Sequence, residues 1–498
     1  MAQVKDPGSL DFVGDYQLDD IDLLNYRGAI VNIKDLIVEL NIYEDIHMNA
    51  LTGTAVVLDA LNVISKSPLQ GTERLAFKLS TVNPGQKTDI IIDASEETGH
   101  PFHIYKLSNR KKIADGMVSY ILHFCSREMF RNVRTKVSQS YKGQLHSSVA
   151  TIFQDKTGLD SKKKLFLEPT RNSDTVVIPN LRPFDAINLI ADKALPKNGN
   201  GVGYYFYETT KGFHFRSYES LLATQGLFPR DEKDLWTYDL RLLQDDSYKL
   251  EKGQRSVDDF EFIQHYDTVL NQATGVYANR VITHNIYDKS YTITDYDYHA
   301  HFADHFHADQ VNSATKENYP ITDMAIDEDQ LRVSEHPTSY VSLEPSTKFL
   351  HNEDKGSYGT LATDDGLNDA KKLSQRRQFV NSEVMKATLS GHSYLQAGDV
   401  IHFRMPSVEP DRGEKQRGYE FDDLKSGRYV ISKLRHRVTK DEYKTIVECV
   451  KDSTYKKIPS GTSKRYPYKS REDGQLIDIY EVDKYATNKG VIKPPMLS

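Results

Sequence analysis

The sequence predicts a mixed, β-dominated α+β protein of several domains, and three observations carry that expectation. Apolar and polar residues alternate with period two over the first quarter of the chain and again over the stretch before residue 452. Helical spacing is confined to a few short stretches between them. The chain also holds 30 Tyr and 20 Phe against one Trp, and Tyr and Phe favour half-buried strand surfaces. With 498 residues it is about three times the common domain size, so two to four cores are expected, and three are taken here.

Composition narrows the class further. Hydrophobic residues make up 38% and charged residues 27%, which is polar for a globular chain yet too aromatic for a disordered one. The net charge of -7 is spread without an acidic or basic tail, so the electrostatic footprint of a tight nucleic-acid binder is missing. Cys125 and Cys449 each fall inside an alternating pattern, which suits packed free thiols in a reducing compartment better than a disulfide scaffold. The first twenty residues hold Asp6, Asp11, Asp15, Asp19 and Asp20 where a signal peptide needs an apolar core. No run of about 18 apolar residues occurs, so neither that secretion route nor a membrane span is expected.

Between Asp20 and Cys125, strands are predicted where Leu36, Val38, Leu40 and Ile42 alternate, then Thr54, Val56 and Leu58, then Leu75, Phe77 and Leu79. Phe102 and Ile104, and Val118 to Phe124, continue the series, with turns at Pro84-Gly85 and Asp115-Gly116. Such strands close into a barrel or a sandwich. A short helix is predicted over Ser147–Thr157, ending before Gly158, and a second from Arg182-Pro183-Phe184 to Pro196. GYYFYETTKGFHF reads as a hairpin turning at Lys211-Gly212. A helix is expected from Asp258 to Gln272, then two extended pieces from Val276 to Ile286. Residues 300–365 are polar and scattered with Pro, Asn, Asp and Ser, and read as a loop-rich insertion rather than a core. A helix carrying Leu367, Ala370, Leu373 and Phe379 follows. Strands then resume from Val384 to Asp452, clearest where Tyr443, Thr445, Val447 and Cys449 alternate with Lys444, Ile446, Glu448 and Val450. Beyond Pro459 the tail has too little apolar content to fold alone.

No catalytic pattern and no cofactor site is read. In HAHFADHFHAD, His299, His301, His305 and His307, with Asp304 and Asp309, could supply metal ligands, but the spacing matches no zinc signature and no Glu is placed as in H-E-x-x-H. A solvated, aromatic-flanked loop is the reading preferred, and no metal is expected. NGNGVG at Asn198–Gly203 has the composition of a phosphate loop without a strand before it or Lys-Ser/Thr after it, and reads as a flexible loop. Arg110-Lys111-Lys112 and Lys162-Lys163-Lys164 read as solvated turns. No nucleophile elbow or distinct carboxylate pair emerges from the 71 acids, although glycosidase carboxylates are held by fold and rarely by local sequence.

Several stretches, taken in order, resemble the hub proteins of contractile tails, a family that includes the T-even phage baseplate hub and the base of VgrG-type spikes in type VI secretion. IYEDIHMNALTGTAVVLDALNVISKSPLQGTERLAFKL resembles the family's opening barrel, with a G-x-x-x-x-x-D strand and Pro68, Leu69, Gly71 and Glu73 in a P-L-x-G-x-E segment. FCSREMFRNVRTKVSQSYKG, IPNLRPFDAINLIADKA and GYYFYETTKGFHFRSYESL are similar to its second domain, with R-P-F-x-A-I and G-x-x-F-x-S motifs. SGHSYLQAGDVIHF and SGRYVISKLRHRVTKDEYKTIVECVKDS are similar to its second barrel, with Gly391, Gly398, Asp399, Gly427, Tyr429, His436 and Tyr443 in place. YANRVITHNIYDKS is a weaker match, expected to complete that barrel from a distance, and residues 300–370 match nothing in the family.

The resemblance implies two antiparallel β-barrel, tube-like domains, an α+β domain and a loop-rich insertion. The boundaries expected are an N-terminal arm at 1–19, a first barrel at 20–126, the α+β domain at 127–240, and a helix with strands contributing to the second barrel at 241–299. The insertion follows at 300–375, the second barrel at 376–456 and an extended tail at 457–498. It also implies a homotrimer that joins the sixfold tail tube, or a tube-initiator protein, to a threefold central spike, surrounded by baseplate wedge proteins. DNA would pass its lumen without specific binding, in a virion assembled in the host cytoplasm. A hub from a phage-derived injection or secretion system has the same physics, and a tail-associated cell-wall hydrolase with its site in 300–370 is the alternative of a different class.

Overall fold

The computed structural model describes residues 14–25, 27–63, 68–81, 90–97, 99–223, 237–240, 256–284, 289–309, 318–320, 332–345, 365–380, 382–405, 422 and 424–457. The expected turn at Pro84-Gly85, most of the N-terminal arm and the tail beyond residue 457 lie outside them.

The first ten strands are β1 (Tyr16–Leu18), β2 (Asp22–Leu24), β3 (Ile30–Asn32), β4 (Ile37–Asp45), β5 (Thr52–Asp59), β6 (Arg74–Ala76), β7 (Lys78–Thr81), β8 (Ile90–Asp93), β9 (Phe102–Ala114) and β10 (Met117–Cys125). They run in the order β4-β5-β10-β9-β6-β2-β3, and β1, β7 and β8 form a separate small sheet. Alternation decides which face is covered: Leu40 and Ile42, Ala55 and Val57, and Tyr120, Leu122 and Phe124 are buried in one cluster with Leu79 and Ile92 of the small sheet. Burial of large apolar side chains, about 2 kcal/mol each, fixes that register, because a one-residue slip would turn each of them to solvent.

A helical lobe follows, with α1 (Arg127–Arg134), β11 (Val137–Gln144), α2 (Leu145–Gln154), β12 (Leu165–Leu167), β13 (Ser173–Leu181), α3 (Pro183–Lys193), β14 (Tyr204–Thr209), β15 (Gly212–Ser217) and α4 (Tyr218–Leu222). Both helices expected here form, α3 with Pro183 in its first turn. Their apolar stripes, Leu145, Val149, Ile152 and Phe153 on α2 and Phe184, Ile187 and Ile190 on α3, close over Phe206, Phe213 and Phe215 of the hairpin.

The rest of the chain holds β16 (Thr237–Leu240), β17 (Ser256–Gln264), α5 (Thr268–Ala273), β18 (Ala278–His284), β19 (Tyr291–Asp297), α6 (Tyr298–His301), β20 (Val341–Pro345), α7 (Asp365–Val380), β21 (Glu383–Ser390), β22 (Val400–Arg404), β23 (Gly427–Thr439) and β24 (Tyr443–Lys451). Hydrogen-bonded neighbours run β16-β17-β21-β24-β23-β22, and β22 also pairs with β16. This circuit surrounds Met385, Leu389, Ile401, Phe403, Tyr429, Ile431, Val447 and Cys449. β23 serves two neighbours in turn: Gly427–Val430 pairs with β22, and Lys433–Thr439 pairs with β4. The two arrays are therefore one 13-stranded sheet. Among the described residues no helix is long and apolar enough to cross a membrane.

Several expectations are corrected. The helix expected from Asp258 is the strand β17, followed by the six-residue helix α5. Phe260 and Phe262 alternate toward the second core while Asp259 and Glu261 face out, and the ladder with β21 outweighs local helical spacing. The described part of the stretch from Tyr277 to Ser290 does not complete the second array, since β18 pairs with β19 and β20 in a sheet of its own. That array is also not wholly antiparallel, since β16 runs parallel to both β17 and β22. The region from 300 is not without a core: Phe302, Tyr319, Val333 and Ala370 are buried with Val276, Tyr277, Tyr296 and Tyr298. Arg110-Lys111-Lys112 is exposed as expected but belongs to strand β9, not to a turn.

Candidate functional site

The conspicuous chemistry of this chain is a set of buried polar joints where the two strand arrays, the helical lobe and the segment after α6 meet. Glu44 lies on β4, on the same side as Leu40 and Ile42, so its carboxylate is carried inward. One oxygen accepts the N–H of Thr210 in the β14–β15 turn and the other the N–H of Ala397 before β22, each at 2.7 Å. A single carboxylate thus ties three parts of the chain. Burial pushes it up to about 7, against the pull of those donors.

Lys163 is not the solvated residue expected of its run, since its side chain is 10% exposed between Glu128 at 3.0 Å and Glu208 at 2.5 Å. Burial opposes its charge, but the two carboxylates hold the ammonium above the ordinary lysine range. The second oxygen of Glu208 accepts the N–H of Leu51, so this ion group joins the lobe to the first array.

The four histidines are not brought together. His299 lies edge-on to Tyr319, and His301 is exposed and stacked on Tyr296. His305 and His307 are buried, which corrects the expectation of a solvated loop. His305 meets Glu219 through Nδ1 at 2.8 Å and Tyr296 through Nε2 at 3.0 Å, with the amide of Gln375 2.7 Å from Nδ1. His307 meets Asp452 at 2.8 Å and the carbonyl of Phe302 at 2.6 Å, its ring stacked on Phe302. Among the described residues no three His, Cys, Asp or Glu side chains converge as a metal-ligand set. Asp309 accepts the N–H of Arg428 and faces Lys451 at 3.0 Å, both side chains fully buried. The contacts of His307 and Asp309 stitch 307–309 onto the ends of β23 and β24.

The glycine-rich loop at 198–203 is packed rather than loose. A Cβ on Gly199 or Gly201 would strike Glu219, and Val202 is buried with its N–H on Gln375.

Other motif residues close turns and crowded approaches. Asp59 accepts the N–H groups of Leu61 and Val63, and Glu73 those of Gln70, Gly71 and Thr72. Ser217 gives both its N–H and its hydroxyl to Glu168. A Cβ on Gly391 would lie 2.2 Å from the ring of Tyr443, whose hydroxyl meets His436 at 2.7 Å. Sequence reasoning missed Glu44, Glu128, Lys163, Glu208, Glu219 and Asp452 as joints. A legible signal existed for two: Glu44 continues the inward series Leu40–Ile42, and Glu208 follows Phe206 on one face. Carboxylates there need buried donors.

No family model matches the chain. In sequence it is similar to the probable baseplate hub protein gp334 of Vibrio phage KVP40, 19% identical over 436 residues, which are 87% of this chain and 94% of that one. The resemblance to the baseplate hubs of contractile tails is shown by that match. Among solved structures it is similar to a tail protein from Neisseria meningitidis MC58, at 10% identity over 88% of this chain and 97% of that one, with a TM-score of 0.46. It is also similar to the 43 kDa tail protein of prophage MuSo2 from Shewanella oneidensis, at 9% identity over 87% and 98%, with a TM-score of 0.46.

Proposed function

We propose that this chain is the non-enzymatic central hub of a contractile phage-tail baseplate, a trimeric ring between the sixfold tail tube and the threefold spike. The observation that carries the reading is a repeated strand order. Outward from the β4–β23 seam the neighbours are β5-β10-β9 on one side and β24-β21-β17 on the other. Two similar arrays per copy give six around a trimer, so one face can meet a sixfold tube while the ring keeps threefold symmetry. On this reading 20–126 and 376–456 are the two barrels, the second closed by β16 and β17 from outside that range, and 127–240 is the α+β domain between them. The arm at 1–19 and the tail at 457–498 lie along partners, which are the spike, the tube or its initiator, and the wedge proteins.

The buried joints fit a mechanical part better than a catalytic one, since Glu44, Lys163, His305 and His307 are engaged in contacts within the chain. A net charge of -7 disfavours DNA sticking to the lumen during passage. The place of action is the virion tail, after assembly in the host cytoplasm. Light scattering on the purified protein, with class averages of the same sample in the electron microscope, tests this. A mass near three times 56.9 kDa and a ring with a central hole is the expected result. A compact monomer without a ring at every concentration tried would overturn it.

A further inference from the structure

The two ends of the repeated strand order carry opposite charge. β9 pairs with β10 along one side, whereas on its other side β6 reaches only Phe102 and His103, and the backbone carbonyl of Glu73 accepts the N–H of Ile104. From Tyr105 to Ala114 no strand among the described residues lies against that edge. This edge exposes Lys106, Arg110, Lys111 and Lys112, together with Ile113 at 59% exposure. β17 occupies the matching place in the other array. It pairs with β21 from Val257 to Gln264, while β16 reaches only Ser256 and Val257. Among the described residues no strand lies along its remaining edge, which exposes Asp258, Asp259 and Glu261, with Ile263 at 53% exposure.

Lysine on an exposed edge is a common guard against stray strand pairing, and the bulge at Asn109, with φ of 54°, adds to that. Guarding alone gives no reason for the second edge to carry the opposite sign. Two basic edges repel and two acidic edges repel, so neither strand can join its own copy in a twofold dimer. Only the unlike pair attracts, and repeated use of an unlike pair is a head-to-tail contact, which closes into a ring when the rotation allows. The edges are also comparable in reach, about 33 Å for ten residues and about 23 Å for seven.

We propose that copies of this chain join by laying the basic β9 edge, Tyr105–Ala114, of one subunit along the acidic β17 edge, Asp258–Gln264, of the next. The inference rests on the ring reading above and names the surface that closes it. Lys112 already faces Asp115 within its own hairpin, which leaves Arg110 and Lys111 as the residues to test. Lys111→Glu with Arg110→Glu is expected to weaken association roughly tenfold or more by light scattering at low salt, as is Asp259→Lys with Glu261→Lys. All four residues are exposed, so circular dichroism should be unchanged. Mixing the two variants should restore contacts at the reversed edges, and carrying all four changes in one chain should restore the trimer. A Lys111→Cys, Glu261→Cys chain should give oxidised dimers and trimers that survive detergent.

A wild-type trimer indifferent to both reversals, or weakened by them without rescue, overturns this contact and leaves the ring standing. A wild-type chain that stays monomeric at every concentration overturns the ring, and this contact with it.

Discussion

At the scale of single residues, two buried histidines, His214 and His436, shape how the fold responds to acid. Burial, aided by Arg216 and Lys211, pushes His214 down to about 3, and burial with Lys211 and His392 does the same to His436. Both rings are neutral in the folded protein, His214 stacked on Tyr207 and His436 bonded to Tyr443. In the unfolded chain they take up a proton near 6.5. Their contribution is therefore whole above about 6.5 and is lost as pH falls toward 3, roughly 5 kcal/mol each at the bottom of that window. Glu44 has the opposite sign. Its folded value of about 7 lies above the ordinary 4.5, so its contribution is whole below 4.5 and declines as pH rises to about 7. Two histidines outweigh one carboxyl below pH 6, so the urea midpoint of the wild type is expected to fall steadily from pH 6 to pH 4. His214→Phe, which keeps the stacking and removes the titrating ring, should flatten that fall. An equal slope in the variant would refute the assignment.

At the scale of elements, what was legible in the sequence follows from which interactions are local. β10 and β24 alternate as expected, so the pleat alone places Leu122 and Val447 inward. In β4, by contrast, the shift between Ile37 and Glu39 turns Val38 out of the series Leu36, Leu40 and Ile42, and in β5 Ala55 and Val57, not Val56, face the core. α3 was legible because Pro183 and the spacing Phe184–Ile187–Ile190 lie within eight residues. β17 was not, because its apolar positions suit a helix as well as a strand, and the partner that decides, β21, is over a hundred residues away. The histidine cluster failed for the same reason, since the groups that receive His305 and His307 are Glu219, Gln375 and Asp452. Gly53 shows how a strand can depend on an empty position. A Cβ there would lie 2.2 Å from the Phe124 ring and 2.5 Å from the carbonyl of Asn41. Because the carbonyl belongs to the β4 ladder and cannot swing aside, Gly53→Ala should cost about 2–3 kcal/mol. Chemical denaturation reads that loss directly, and a change below half a kcal/mol would mean that the two strands part easily.

At the scale of the whole molecule, the question is whether the two strand arrays can open separately. Proteins of this length with several cores commonly unfold in stages. Here the first core contains Val438 and Tyr443 from the second array, and a further cluster unites Ile46, Tyr207, Tyr218, Val400, Val430 and Val450 from all three parts. β23 gives its first residues to β22 and its last to β4, so melting either array strips one side of a strand the other needs. The two cysteines report on each array without any mutation. Both are buried and free, Cys125 at the end of β10 and Cys449 within β24. Burial pushes the Cys125 thiol up to about 12 and raises Cys449 as well, so neither is a reactive thiolate at neutral pH while the fold is closed. Labelling by a thiol reagent then measures opening. With a shared strand and shared cores, Cys125 and Cys449 are expected to label along the same curve as denaturant rises, each fraction resolved by peptide mass. If Cys449 labels at distinctly lower denaturant than Cys125, the seam at β4–β23 is a hinge between independent units, and a rigid two-array subunit is the wrong picture for the ring.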